Sequence, residues 1–129
     1  MRENRKQRIV EFRWQQAREA KELLDNLQSN LGAQNAMRML DWNGGSYELP
    51  DGTQERITYK DVLSALRIEN LQFSPKEAFI RDSFDQFFDL LERTEHFLNI
   101  TLISKSDVLP PIGYYIDIMS KTKWFLKRS

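Results

Sequence analysis

The stretch SPKEAFIRDSFDQFFDLLERTEHFLN, Ser74 to Asn99, decides the fold. Ser74 can accept a hydrogen bond from the free backbone N–H groups of a helix start. Glu77, three positions on, can reach back to the cap, and this reciprocal pairing opens helices. Pro75 takes the first helical position, where its missing N–H is no loss. From there Ile80, Phe84, Phe87, Phe88, Leu91 and Leu98 recur as one stripe, with Phe79, Leu90 and Phe97 widening it. At about 100° per residue, Asp82, Asp85, Asp89, Glu92 and His96 fall on nearly the opposite side. The spacing predicts a helix over 75–99 with its phenylalanines inward and its carboxylates towards water.

His96 is the single histidine of the chain. A metal-dependent enzyme would have to draw on Glu92 and His96, which lie four apart and can converge. The bundle-core iron motif, however, needs Glu-x-x-His facing inward, and here Glu95 adjoins His96 while Glu92 precedes it by a full turn. The pair is therefore read as part of a solvated face. No Gly-x-Ser-x-Gly turn supplies a nucleophile. No catalytic, cofactor-binding or metal-binding residue is assigned.

Two further helix starts repeat the chemistry of Ser74: Thr58 with Asp61, and Ser104 with Asp107. Each carries a flanking apolar pair that fixes the entry angle, Ile57 with Val62 and Ile103 with Val108. They place a helix at about 59–69 and a last one ending near Met119. Pro110 and Pro111 complicate the last, because proline inside a helix removes a hydrogen bond and crowds the preceding turn. Ser104 to Leu109 is then either one isolated turn before a fresh helix or the start of a single one.

Towards the N-terminus, Val10, Ala17, Ala20, Leu24, Leu27 and Leu31 recur mostly three or four apart, with Ile9 and Trp14 at the margins. A long amphipathic helix over about 5–31 is expected. Phe12 falls opposite this stripe and Leu23 well off it, so the helix is expected to touch a second surface. Gly32 reads as its stop. The run AQNAMRMLDW, 33–42, then reads as a short helix presenting Ala36, Met39 and Leu40. The segment 43–57 breaks helical periodicity: Pro50-Asp51-Gly52 signals a turn between Tyr47–Leu49 and Arg56–Thr58. A small hairpin or an ordered loop packed on helices is expected there. No Gly-Lys-Ser/Thr follows Asn43-Gly44-Gly45, which argues against a phosphate-cradling loop.

The expected architecture is all-α: a single domain, 1–129, built as a five-helix bundle-like body with an irregular loop or hairpin at 43–57. Its 129 residues, 40% apolar and 12% aromatic, suit one domain with a core of its own. There is no cysteine, which excludes disulfides and thiolate chemistry. No apolar run approaches the roughly 20 residues of a membrane span, and the basic start lacks the apolar segment of an export signal. The chain is expected to be cytoplasmic.

The net charge of zero is unevenly spread. Residues 1–21 carry seven bases against three acids, residues 118–129 add four bases, and the middle is strongly acidic. The tail SKTKWFLKRS, Ser120 to Ser129, interleaves those bases with Trp124, Phe125 and Leu126. Basic ends, 1–13 and 120–129, can meet anionic lipid, nucleic acid or the acidic face of another copy.

WQQAREAKELLDNL, AMRMLDW, FIRDSFDQFFDLLERTEHFLNITLIS and DVLPPIGYYIDIM resemble a family of uncharacterised bacterial helical proteins, over roughly residues 10–120. The resemblance implies a helical domain in which an aromatic-rich helix is followed by a turn and a Tyr-Tyr helix. Many members place a membrane anchor before this domain, and this chain is expected to lack one. The family brings no activity or catalytic residues with it. The functional expectation is a non-enzymatic helical interaction module, self-associating through the first helix or through spare apolar residues such as Phe12.

Overall fold

The computed structural model describes residues 2–120. Five helices and one two-stranded sheet follow in the order α1 (Arg2–Ser29), α2 (Leu31–Asp41), β1 (Gly45–Glu48), β2 (Gln54–Ile57), α3 (Tyr59–Ala65), α4 (Pro75–Asn99) and α5 (Lys105–Ser120). The chain is thus mostly helical.

α4 runs through the middle, packing chiefly on α2 and also on α3 and α1. Ile80, Phe84, Phe87 and Phe88 are buried along it, with Leu90, Ser83 and Thr94. The two polar members return their hydroxyls to the helix itself, Ser83 donating to the Phe79 carbonyl at 3.0 Å and Thr94 to that of Leu90 at 2.8 Å. The capping boxes expected at Ser74/Glu77 and Thr58/Asp61 are both formed. At Ser104 the local chemistry differs. Its hydroxyl pairs with that of Ser106 at 2.9 Å, and its carbonyl accepts from the Asp107 N–H at 3.0 Å. The apolar pairs Ile57/Val62 and Ile103/Val108 are all buried.

α5 is one helix with Pro110 and Pro111 inside it, so the isolated-turn alternative is set aside. Both prolines are exposed while Val108 and Ile112 are buried, and that burial holds the segment helical across the break in its ladder.

The first two helices divide differently from expectation. The break falls at Asn30, whose side chain accepts from the Ala33 N–H at 2.9 Å and so caps α2. Leu31, expected to close the α1 stripe, instead opens α2 and is 74% exposed. Gly32 is no stop signal. It lies buried in the first turn of α2, and a Cβ there would sit 2.5 Å from the Gln86 side chain.

The buried seam of α1 is Gln16, Ala20, Leu23 and Leu27, with Leu24 half-buried. Leu23 belongs to the core, and Ala17 and Val10 do not. Apolar residues at 10, 14 and 17 pulled the expected stripe about half a quadrant away from the side that packs.

The segment 43–57 forms an antiparallel hairpin, Tyr47 opposite Glu55 and Ser46 opposite Arg56. Its turn is closed by Asp51, which accepts from both the backbone N–H and the hydroxyl of Thr53. Gly52 supplies the left-handed residue, φ +86°. Two strands alone would be marginal; burial of Tyr47, Leu49 and Ile57 against the helices stabilises them.

α3 ends at Ala65, short of the expected 69. Beyond it, two arginines take over from the helical ladder. Arg67 donates to the carbonyls of Ser64, Asn70 and Gln72, and Arg81 to those of Ala65 and Arg67. Both guanidinium groups lie over the Phe73 ring, at 4.7 and 4.3 Å from its centroid, and Arg67 pairs with Glu77.

Candidate interaction surfaces

The acids of α4 lie where the spacing placed them. Asp82, Asp89, Glu92 and His96 are exposed and Asp85 is half-buried. Among the described residues no group of three or more histidine, aspartate or glutamate side chains converges on a common point. Glu92 and His96 stand on an open helix surface.

A groove of about 460 Å³ runs between α1, α2 and α5. Leu24 and Leu27 of α1, Met37 of α2 and Pro111 of α5 form its apolar lining; Arg38, Asp41 and Tyr115 are among its polar members. The Tyr115 phenol donates to Asp41 Oδ2 at 2.9 Å, across 74 positions of sequence. Burial, reinforced by that carboxylate, pushes its pKa up to about 12. Tyr115 is thus a fixed donor rather than a base. The Tyr115 ring stands edge-on to Phe87 at 6.0 Å, and Arg38 lies over the rings of Trp42 and Tyr47. Among the described residues the polar lining is Gln28, Gln34, Arg38, Asp41 and Tyr115. Sequence reasoning did not find it. Arg38, Asp41 and Tyr115 have no shared spacing, and only the packing of α2 against α5 brings them together.

The third surface is the N-terminal half of α1. Every residue from 4 to 15 is exposed, including Ile9 (59%), Val10 (54%), Phe12 (48%) and Trp14 (75%). At 1.5 Å per residue this is an arm about 18 Å long. Ile9 and Phe12 continue the line of the buried seam past the point where the body ends. Arg13 donates to Gln16 Oε1, and Gln16 donates to the Thr101 carbonyl at 3.0 Å, marking where the arm meets the body. The basic, aromatic tail at 121–129 lies outside the described residues.

No helix of the described residues is long and apolar enough to cross a membrane. In comparisons with known proteins, the chain matches no protein-family model, no curated protein and no solved structure.

Proposed function

We propose that the chain is a cytoplasmic, non-enzymatic interaction module, a five-helix bundle-like domain that docks through the N-terminal arm of α1. The observation that carries this reading is the run of four large apolar side chains, each about half exposed or more, on one unsupported helix segment. A helix of about twelve residues without tertiary support is marginal in water. Covering the exposed parts of Ile9 and Phe12, which share one side of the arm, would contribute on the order of 2 kcal/mol at ordinary transfer values. The cost of ordering the arm and the benefit of covering it meet when another protein surface is laid on it.

Anionic lipid or nucleic acid held by the basic ends is less well supported. On a helix, Arg5, Lys6 and Arg13 project within about 60° of Ile9. Apolar and basic groups thus share a side, whereas an interfacial helix separates them. A side that mixes both suits a protein partner carrying acids among apolar groups.

The test is a hydrophobic dye together with light scattering on the wild-type chain and on the triple variant Ile9→Ser/Phe12→Ser/Trp14→Ser. The wild type is expected to bind dye or to associate, and the variant, with unchanged circular dichroism, to do neither. A wild type that binds no dye and stays strictly monomeric would overturn the reading.

A further inference from the structure

Along one side of α1, Arg5, Arg8, Phe12, Gln15, Glu19 and Glu22 are spaced alternately three and four apart, the repeat that lets two helices lie together along a continuous seam. Five of the six are exposed and Glu19 is half-buried. Among the described residues none of the four charged members forms an ion pair. The order is bases, then Phe12 and Gln15, then acids. Such a stripe complements itself in one orientation only.

We propose that the partner of the α1 arm is a second copy of this chain, its α1 lying antiparallel along the same side; this rests on the reading of the arm as a docking surface. Turned end for end, Arg5 meets Glu22 of the second copy, Arg8 meets Glu19, and Phe12 packs against the Gln15 stem. Each pairing occurs twice across the two-fold axis, so the contact is isologous and closes at two copies. The flanking position adds Glu11 beside Arg18 of the second copy. A parallel pair would set Arg5 on Arg5 and Glu19 on Glu19, and like charges reject it. Ile9, next to Phe12 on the side continuous with the core seam, faces the body of the second copy. Val10 and Trp14 point away from the seam.

The experiment is sedimentation equilibrium of the full chain from about 10 µM to 1 mM, a range that covers weak pairing. The wild-type mass is expected to rise towards that of two chains, and the association to weaken at least tenfold when salt screens the six ion pairs. Arg5→Glu/Arg8→Glu and Glu19→Arg/Glu22→Arg are each expected to stay monomeric alone. Mixed in equal amounts they should pair, and a chain carrying all four changes should pair with itself. Trp14→Ser should pair like the wild type. Circular dichroism confirms that each variant folds.

A wild type that stays monomeric yet binds hydrophobic dye overturns the antiparallel pair and leaves the docking arm standing. A monomer that binds no dye overturns both. Association that survives either charge reversal, or that Trp14→Ser abolishes, overturns the pairing in favour of unspecific apolar contact.

Discussion

Replacing Phe87 with alanine tests the central claim, that α4 supplies the core. The ring is fully buried, stands edge-on to Tyr115 at 6.0 Å and lies 6.4 Å from Phe88. Truncating a buried phenylalanine to alanine costs about 3–5 kcal/mol, the sum of lost transfer energy and the cavity left behind. The lost aromatic edge contact, about 0.5–1.5 kcal/mol, places Phe87 in the upper half of that range. Against a total stability of about 5–15 kcal/mol, the loss lowers the melting temperature by at least about 10 °C. Urea unfolding followed by circular dichroism measures it, with Trp14→Ala as the comparison. Trp14 is three-quarters exposed, and its removal should change stability by less than about 0.5 kcal/mol. If Phe87→Ala costs under about 1.5 kcal/mol, or no more than Trp14→Ala, the assignment of core and arm is wrong.

Other outcomes follow from the helix starts and from the titrating groups. Thr58→Ala removes a formed capping box and should destabilise by about 1 kcal/mol in urea unfolding, while Ser104→Ala, whose hydroxyl meets only Ser106, should cost less than half of that. The Thr58 backbone N–H, with Lys76 nearby, holds the Asp61 carboxyl below the ordinary carboxylate range. The folded chain therefore binds protons less readily than the unfolded one. Its contribution is complete above about pH 4 and lost as pH falls through the depressed folded value, so melting curves of wild type and Asp61→Asn should converge in acid. Tyr115 behaves in the opposite sense. Its raised pKa, about 12, favours the protonated folded state, a contribution present below about pH 10 and lost as pH rises through the folded value. Burial also raises the Tyr47 pKa, so ultraviolet phenolate titration should show more than one late tyrosine, and Tyr115→Phe should reduce the late-titrating absorbance by one tyrosine.

The parts of the fold written in local chemistry were legible before any coordinates. α4 was readable in boundary, cap and buried side because its stripe, its Ser74 cap and Pro75 agree with one another. Where signals conflicted, packing decided. α1 carries apolar residues on two sides, and composition alone cannot say which side meets the body. Gly32 resembles a helix stop, but Asn30 caps first and places the break two residues earlier. The two prolines of α5 argue for an interruption, yet burial of Val108 and Ile112 outweighs the lost hydrogen bonds. The candidate surfaces were legible in part. Phe12 and the basic first turns were visible as features, but that residues 4–15 stand clear of the body is a tertiary fact. The groove under Tyr115 had no trace in sequence, since it exists only between α1, α2 and α5.

The clasp of Arg67 and Arg81 around Phe73 bears on how the molecule can move. A connector of nine residues between two helices would ordinarily serve as a joint, its carbonyls trading partners with water as it flexes. Here five of those peptide oxygens, counting the last turn of α3, are gathered by two side chains. Bending at this point would strip several charged contacts at once, so α3 and α4 travel as one rigid bracket. Any adjustment to a docked neighbour must be taken up elsewhere, at Asn30 between the first two helices or along the free arm.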